Sequence, residues 1–156
     1  SMSTVAFLGG HPIYTGVVSH DEYGRAYEEK LTGYGVKALL RKVNYGLTGS
    51  SIILTTPDAE RTMNTHLGVS REFEQQDIDL DLLKASRIFH LTGYMWDTEK
   101  QKTAAIYAME HAKRFGLKVS FDLSDPFLIE RNRGAKLASA MLDEGLSFMA
   151  FLISHR

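Results

Sequence analysis

The sequence predicts an α/β domain built on a parallel sheet and carrying a β-rich insertion. Three observations support that reading. Residues 87–123 run strand, long helix, strand within about 40 residues, which calls for a crossover and a parallel pairing. Residues 146–153 are apolar throughout, as a strand buried on both faces must be. Residues 36–67 hold few helix formers and many Thr and Ser, the composition of a small sheet with one wet face.

The elements follow in order. Residues 4–8 are a short apolar piece ending in Gly9-Gly10, and Ser1-Met2 reads as a tag remnant outside the fold. Residues 12–18 are a β-branched run and predict a strand. Ser19 and Glu22 have capping-box spacing, so a helix is expected from there to Thr32, with Tyr23, Ala26, Tyr27 and Leu31 on its inward face. Gly33 and Gly35 stop it. Residues 36–43 predict a strand, and Asn44-Tyr45-Gly46 a turn. Residues 48–67 predict a β-hairpin: a β-branched run, the Pro57-Asp58 turn, then a second alternating run that Gly68 ends. A short helix is expected near residues 77–85. After the strand at 87–93, Asp97 is the expected N-cap of a helix over 98–115 that turns Ala105, Ala108, Met109, Ala112 and Phe115 inward, with Gly116 as its stop. Residues 117–123 give the next strand, Asp125-Pro126 opens a helical region to 143, and Gly145 breaks it.

Composition narrows the function. The 156 residues suit one domain with a real core, and 44% hydrophobic with 24% charged residues is ordinary for a soluble globular chain. A net charge of -1 offers no field to recruit nucleic acid or an anionic membrane. There is no cysteine, which excludes disulfides, thiolate metal sites and a Cys nucleophile and accords with a reducing cytoplasm. No apolar run approaches the roughly 18 residues of a membrane span, and no signal peptide is expected. The six histidines lack ligand spacing, so no metal site made by this chain alone is expected. Gly9-Gly10-His11-Pro12 lacks the lysine of a P-loop, and no Ser sits in a nucleophile elbow. Trp96, with Tyr94 and Met95, is expected in a core or an interface.

Three pieces carry a resemblance. Gly16-Val17-Val18-Ser19-His20-Asp21-Glu22-Tyr23-Gly24 passes from strand to helix through an acidic pair and a glycine. The hairpin runs from Thr48-Gly49-Ser50-Ser51 through Pro57-Asp58 to Asn64-Thr65-His66-Leu67. Asp122-Leu123-Ser124-Asp125-Pro126-Phe127 follows a strand, and Gly93-Tyr94-Met95 supplies a strand-end glycine. In this order they resemble the PfkB (ribokinase-like) family, and within it the adenosine-kinase-like and sugar-kinase members.

The resemblance implies part of a Rossmann-like, three-layer parallel sheet with helices on both faces, plus a small β-sheet lid over the acceptor. Residues 4–35 and 68–156 would belong to the α/β core and 36–67 to the lid. It implies transfer of the γ-phosphoryl group of ATP, with Mg²⁺, to a primary hydroxyl of a sugar or nucleoside. The family's Gly-Gly-then-Asn acceptor signature, its Gly-Ala-Gly-Asp base and its Asn-x-x-Glu element do not occur in this chain. The expectation is therefore a truncated middle portion, inactive alone, with no catalytic residue and no metal ligand of its own.

The site residues keep two readings each. Strand alternation puts Thr62, Asn64 and His66 on one face and Arg61, Met63 and Thr65 on the other. By resemblance Thr62 and Asn64 meet the acceptor; by periodicity they are a solvent face. Asp122 ends an apolar strand, where α/β sheets place ligands, and the resemblance sets it near the nucleotide phosphates. Ser124 or Asp125 caps the following helix, and Arg131 and Arg133 either pair phosphate or face water.

Two other readings remain. One is a non-catalytic assembly module, a homo-oligomer such as a dimer formed through lid strands or the sheet edge at 146–151. The other is a free-standing nucleotide-binding α/β domain, in which strands 36–67 would merge into a single sheet.

Overall fold

A computed structural model describes residues 2–122 and 124. The helix expected at 125–143, the strand at 146–153 and the residues Asp125, Arg131 and Arg133 lie outside the described residues. The chain divides into two compact units, 1–73 and 74–156.

The first unit opens with helix α1, Met2–Phe7, none of whose residues is buried. Strand β1, Ile13–Ser19, leads into helix α2, Glu22–Gly33, and strand β2, Lys37–Val43, returns parallel to β1 with Ile13 opposite Lys37 and Ser19 opposite Val43. Lys37–Val43, grouped by sequence with the 36–67 region, thus pairs with β1. Strands β3, Ser50–Thr55, and β4, Arg61–His66, form an antiparallel hairpin of their own. Its turn closes as expected: Thr56 N–H donates to Glu60 O (3.0 Å), and Ala59 takes a φ of 65°. Val17, Val18, Val36, Val43, Val69 and Phe73 are this unit's buried apolar residues.

Two expectations for α2 need correction. Its N-cap is Asp21, not Ser19, and Ser19 instead completes β1. Tyr23, Ala26 and Tyr27 are exposed, and Gly24 is the buried residue of the helix. Periodicity identifies an apolar stripe, but whether anything packs on that stripe is a tertiary matter.

The second unit contains helix α3, Leu80–Lys84, strand β5, Ile88–Thr92, helix α4, Glu99–Arg114, and strand β6, Lys118–Asp122. β5 and β6 are parallel, with Thr92 opposite Asp122. Thr98, one residue after the expected Asp97, caps α4 by accepting Gln101 N–H on its hydroxyl. Ala105, Ala108, Met109 and Ala112 face inward as their spacing predicts, whereas Phe115 is half-buried at the C-cap. Leu91, Trp96, Ala105, Met109 and Phe121 form the core cluster, with the Trp96 and Phe121 rings edge-on at 5.3 Å. Trp96 is thus a core residue.

The architecture is α/β with parallel strands and helices. Among the described residues the strands form three two-stranded sheets, not a full three-layer parallel sheet.

Candidate functional site: the hairpin, its root and the strand ends

The root of the hairpin is the most tightly specified polar feature of the first unit. At the end of β1 the chain turns into α2 through His20 and Asp21. The Asp21 carboxylate accepts three bonds there. Its Oδ1 accepts from Gly24 N–H (2.8 Å) and from the Thr48 hydroxyl (2.6 Å), and its Oδ2 accepts from Thr48 N–H (2.8 Å). The Thr48 hydroxyl in turn accepts Ser19 N–H (2.9 Å). The Ser19 hydroxyl faces the carbonyls of Tyr45 (3.2 Å) and Gly46 (3.1 Å). Among the described residues the buried polar side chains are Ser19, Thr48 and Gln101, so two of the three belong to this junction.

Close backbone approach explains the glycines around it. A Cβ on Gly24 would lie 2.3 Å from Ser19 O and 2.9 Å from Thr48 Oγ1. The second leg of the hairpin returns against the first: Val69 N–H donates to Leu47 O (2.9 Å), and a Cβ on Gly49 would lie 2.8 Å from Leu67 O. The sequence marked Asp21 and Gly24 as the opening of a helix. It did not mark Thr48 as their partner, because a contact across 27 residues leaves no local pattern.

Thr48 lowers the Asp21 pKa below the ordinary carboxylate value, through its hydroxyl first and its backbone N–H next; burial opposes this, and the Gly24 N–H adds to it. A carboxylate with a lower pKa folded than unfolded stabilises fully above its unfolded value of about 3.9 and loses that contribution as pH falls through the folded value. The Thr48 and Gly24 amide resonances are therefore expected to titrate together, with a midpoint below that of an ordinary Asp. A midpoint at or above the ordinary value would contradict the junction.

The hairpin itself is open to solvent: every residue of β3 and β4 is exposed. The register places Thr62 opposite Leu54, Asn64 opposite Ile52 and His66 opposite Ser50, so these six share one face. Arg61, Met63 and Thr65 share the other with Thr55, Ile53 and Ser51, and the Ser51 and Thr65 hydroxyls meet at 2.8 Å. Thr62 and Asn64 are thus brought onto one face, while Asp122 belongs to the second unit.

Asp122 ends β6 and is exposed; its Oδ1 accepts Ser124 N–H (2.9 Å). Ser124 takes a φ of 62° there. Two positions below Thr92 and Asp122 in the register, His90 Nδ1 and Ser120 Oγ lie 3.1 Å apart. Leu91 and Phe121, which alternate with these residues, enter the core instead. Sequence reasoning did not single out His90 and Ser120; the signal available was two polar residues inside strands otherwise expected to be apolar. Among the described residues no group of three or more His, Asp or Glu could hold a metal. A Mg²⁺–phosphate assembly draws on one or two carboxylates, with phosphate and water supplying the rest. A single strand-end carboxylate such as Asp122 fits that demand. No helix of the described residues is long and apolar enough to cross a membrane.

The pattern of a family described as pfkB family carbohydrate kinase matches residues 2–143. A protein named probable fructokinase-6, chloroplastic, from Arabidopsis thaliana is 30% identical over 121 residues, which are 76% of this chain and 32% of that protein. The chain thus spans about a third of that relative's length. The crystal structure of adenosine kinase from Sinorhizobium meliloti superposes with a TM-score of 0.87 at 30% identity, covering 93% of this chain and 44% of that one. An E. coli protein described as ribokinase II, in complex with ATP and Mg²⁺, shares the fold with a TM-score of 0.78 at 20% identity, covering 89% of this chain and 44% of that one.

Proposed function

This chain belongs to the pfkB family of carbohydrate kinases, and from that premise we propose that it forms the lid and part of the α/β body of an ATP-dependent sugar or nucleoside kinase. One observation carries the reading. An antiparallel hairpin that pairs with no other strand among the described residues is rooted by a built polar junction at the C-terminal end of a parallel strand. Strand C-termini are where α/β sheets place ligands. We assign the lid to the hairpin within residues 36–67, and residues 4–35 and 68–156 to the α/β core.

In this proposal the face bearing Thr62 and Asn64 turns toward the acceptor. A hydroxyl and an amide side by side can donate to and accept from sugar hydroxyls. Asp122, at a strand end, lies near the nucleotide phosphates. ATP would supply the phosphoryl group, and Mg²⁺ would neutralise charge on the phosphate oxygens. The lid's part is to exclude water and to orient the acceptor. We place the protein in the cytoplasm, which accords with its lack of cysteine.

The base for the acceptor proton is not among these residues, because the chain contains no Gly-Ala-Gly-Asp run. We therefore expect no ATP-dependent phosphorylation of ribose, fructose or adenosine by these 156 residues alone, and turnover above a mock preparation would overturn that. The lid assignment has its own test. Fructose or adenosine, added at millimolar concentration to labelled chain, is expected to shift the amide resonances of Thr62 and Asn64 saturably. Shifts confined to Arg61, Met63 and Thr65 would put the acceptor on the wrong face.

A second reading, assembly through the hairpin, is favoured by one feature. Ile52, Ile53, Leu54 and Met63 are 52–67% exposed on a hairpin whose edges pair with no other strand among the described residues. It predicts a homo-oligomer, a dimer at the simplest, in light scattering. A monomer persisting at high concentration would dismiss it.

A further inference from the structure

We propose that Asp21 is a positioning residue for the hairpin: its carboxylate, acting through Thr48, holds the first leg of β3–β4 against the end of β1. The proposal takes from the lid reading only that the hairpin is the part that meets a ligand, and its test needs no ligand.

Three observations carry it. First, the carboxylate grips one residue of the hairpin root with both oxygens, Oδ1 on the Thr48 hydroxyl (2.6 Å) and Oδ2 on the Thr48 N–H (2.8 Å), while Oδ1 also holds Gly24 N–H (2.8 Å). Charge-assisted bonds of this kind are about twice as strong as neutral ones. Capping α2 requires only the Gly24 bond; the two bonds to Thr48 are additional to any helix-capping role. Second, the Thr48 hydroxyl relays the grip to the strand. It accepts Ser19 N–H (2.9 Å) and, because its proton goes to Asp21, a single orientation satisfies both contacts. Third, the root has no slack. Thr48 is 7% exposed and Ser19 6%, whereas every residue of β3 and β4 is exposed. The hairpin is therefore an arm whose placement on its own unit is set where it is rooted. The second leg is coupled to the first through Val69 N–H on Leu47 O (2.9 Å).

The chemistry requires a carboxylate and a hydroxyl. An amide in place of Asp21 would present N–H groups to at least one of the donors it now accepts. Valine in place of Thr48 keeps the shape and the backbone N–H but removes the relay. Serine keeps the relay.

The test is residue-resolved amide exchange on the whole chain with the variants Asp21→Asn, Thr48→Val and Thr48→Ser. Asp21→Asn and Thr48→Val are expected to speed exchange at position 48 and at Val69 by about ten-fold or more, the loss of one or two charge-assisted bonds. Exchange in β5 and β6 should stay unchanged, and Thr48→Ser should match the parent. Unchanged exchange at Val69 in Thr48→Val overturns the proposal, even if Asp21→Asn does not fold. Equal acceleration in β5 and β6 also overturns it, since the carboxylate would then serve general stability. So does failure of Thr48→Ser to restore protection, since shape and not the hydroxyl would then matter.

Discussion

Gly68→Ala is expected to break the hairpin root, at a cost of about 3 kcal/mol or more to the first unit. Two independent penalties act at that position. Gly68 has a φ of +53°, in the left-handed region, where a side chain costs about 1–2 kcal/mol. A Cβ there would also lie 2.1 Å from Leu47 O and 3.1 Å from Gly49 N. Both obstacles are backbone atoms of the opposite leg, so no rotamer change relieves them. Relief requires the legs to part, and that opens the Val69–Leu47 bond beside them. The expected result is loss of amide protection around Leu47 and Val69 and a lower denaturant midpoint for residues 1–73. Protection equal to that of the parent would show that the two legs are not held together as described. The control is Gly33→Ala, at a position where a Cβ meets nothing within 4 Å.

Phe121→Ala should cost the second unit about 3–5 kcal/mol, the range for deleting a buried aromatic ring. Phe121 is 9% exposed and packs edge-on against Trp96, with centroids 5.3 Å apart and planes at 84°. Leu91, Ala105 and Met109 share the cluster, the last two from α4, so removing the ring takes away a contact common to β5, β6 and that helix. Trp96 is the single tryptophan and is 6% exposed, so its fluorescence reports this core without interference. A red-shifted emission and a lower unfolding midpoint are expected together. Emission unchanged from the parent would mean that Phe121 does not shield the indole. Because Trp96 lies in 74–156 and the Gly68 readout in 1–73, the two substitutions also test whether the units unfold separately.

Legibility in the sequence followed the range of the interactions. The hairpin at 48–67 was readable because alternation and the Pro57-Asp58 turn are local, and β3 and β4 formed within it. The parallel pair β5–β6 was readable because a strand, a helix of 16 residues and a second strand permit little else. Caps were readable to within one or two positions: Asp21 for the expected Ser19, Thr98 for the expected Asp97. Neighbouring Ser, Thr and Asp residues compete for the same orphan N–H groups, and small backbone adjustments decide which one wins. The Tyr23–Tyr27 face of α2 was misread as inward because spacing marks an apolar stripe without saying what covers it.

By itself the sequence determined the local grammar and, through three ordered motifs, the family: which segments are strands or helices, where the glycines punctuate them, and that residues 48–67 form a hairpin. Only the tertiary structure decided that Thr48 closes on Asp21 and Ser19, that Gly24 and Gly68 exist to let backbones pass within contact, and that β2 pairs with β1. The division has a physical cause. Propensity, turns and periodicity are set within a few residues of chain, whereas a hydrogen bond spanning 27 residues depends on how whole elements close over one another.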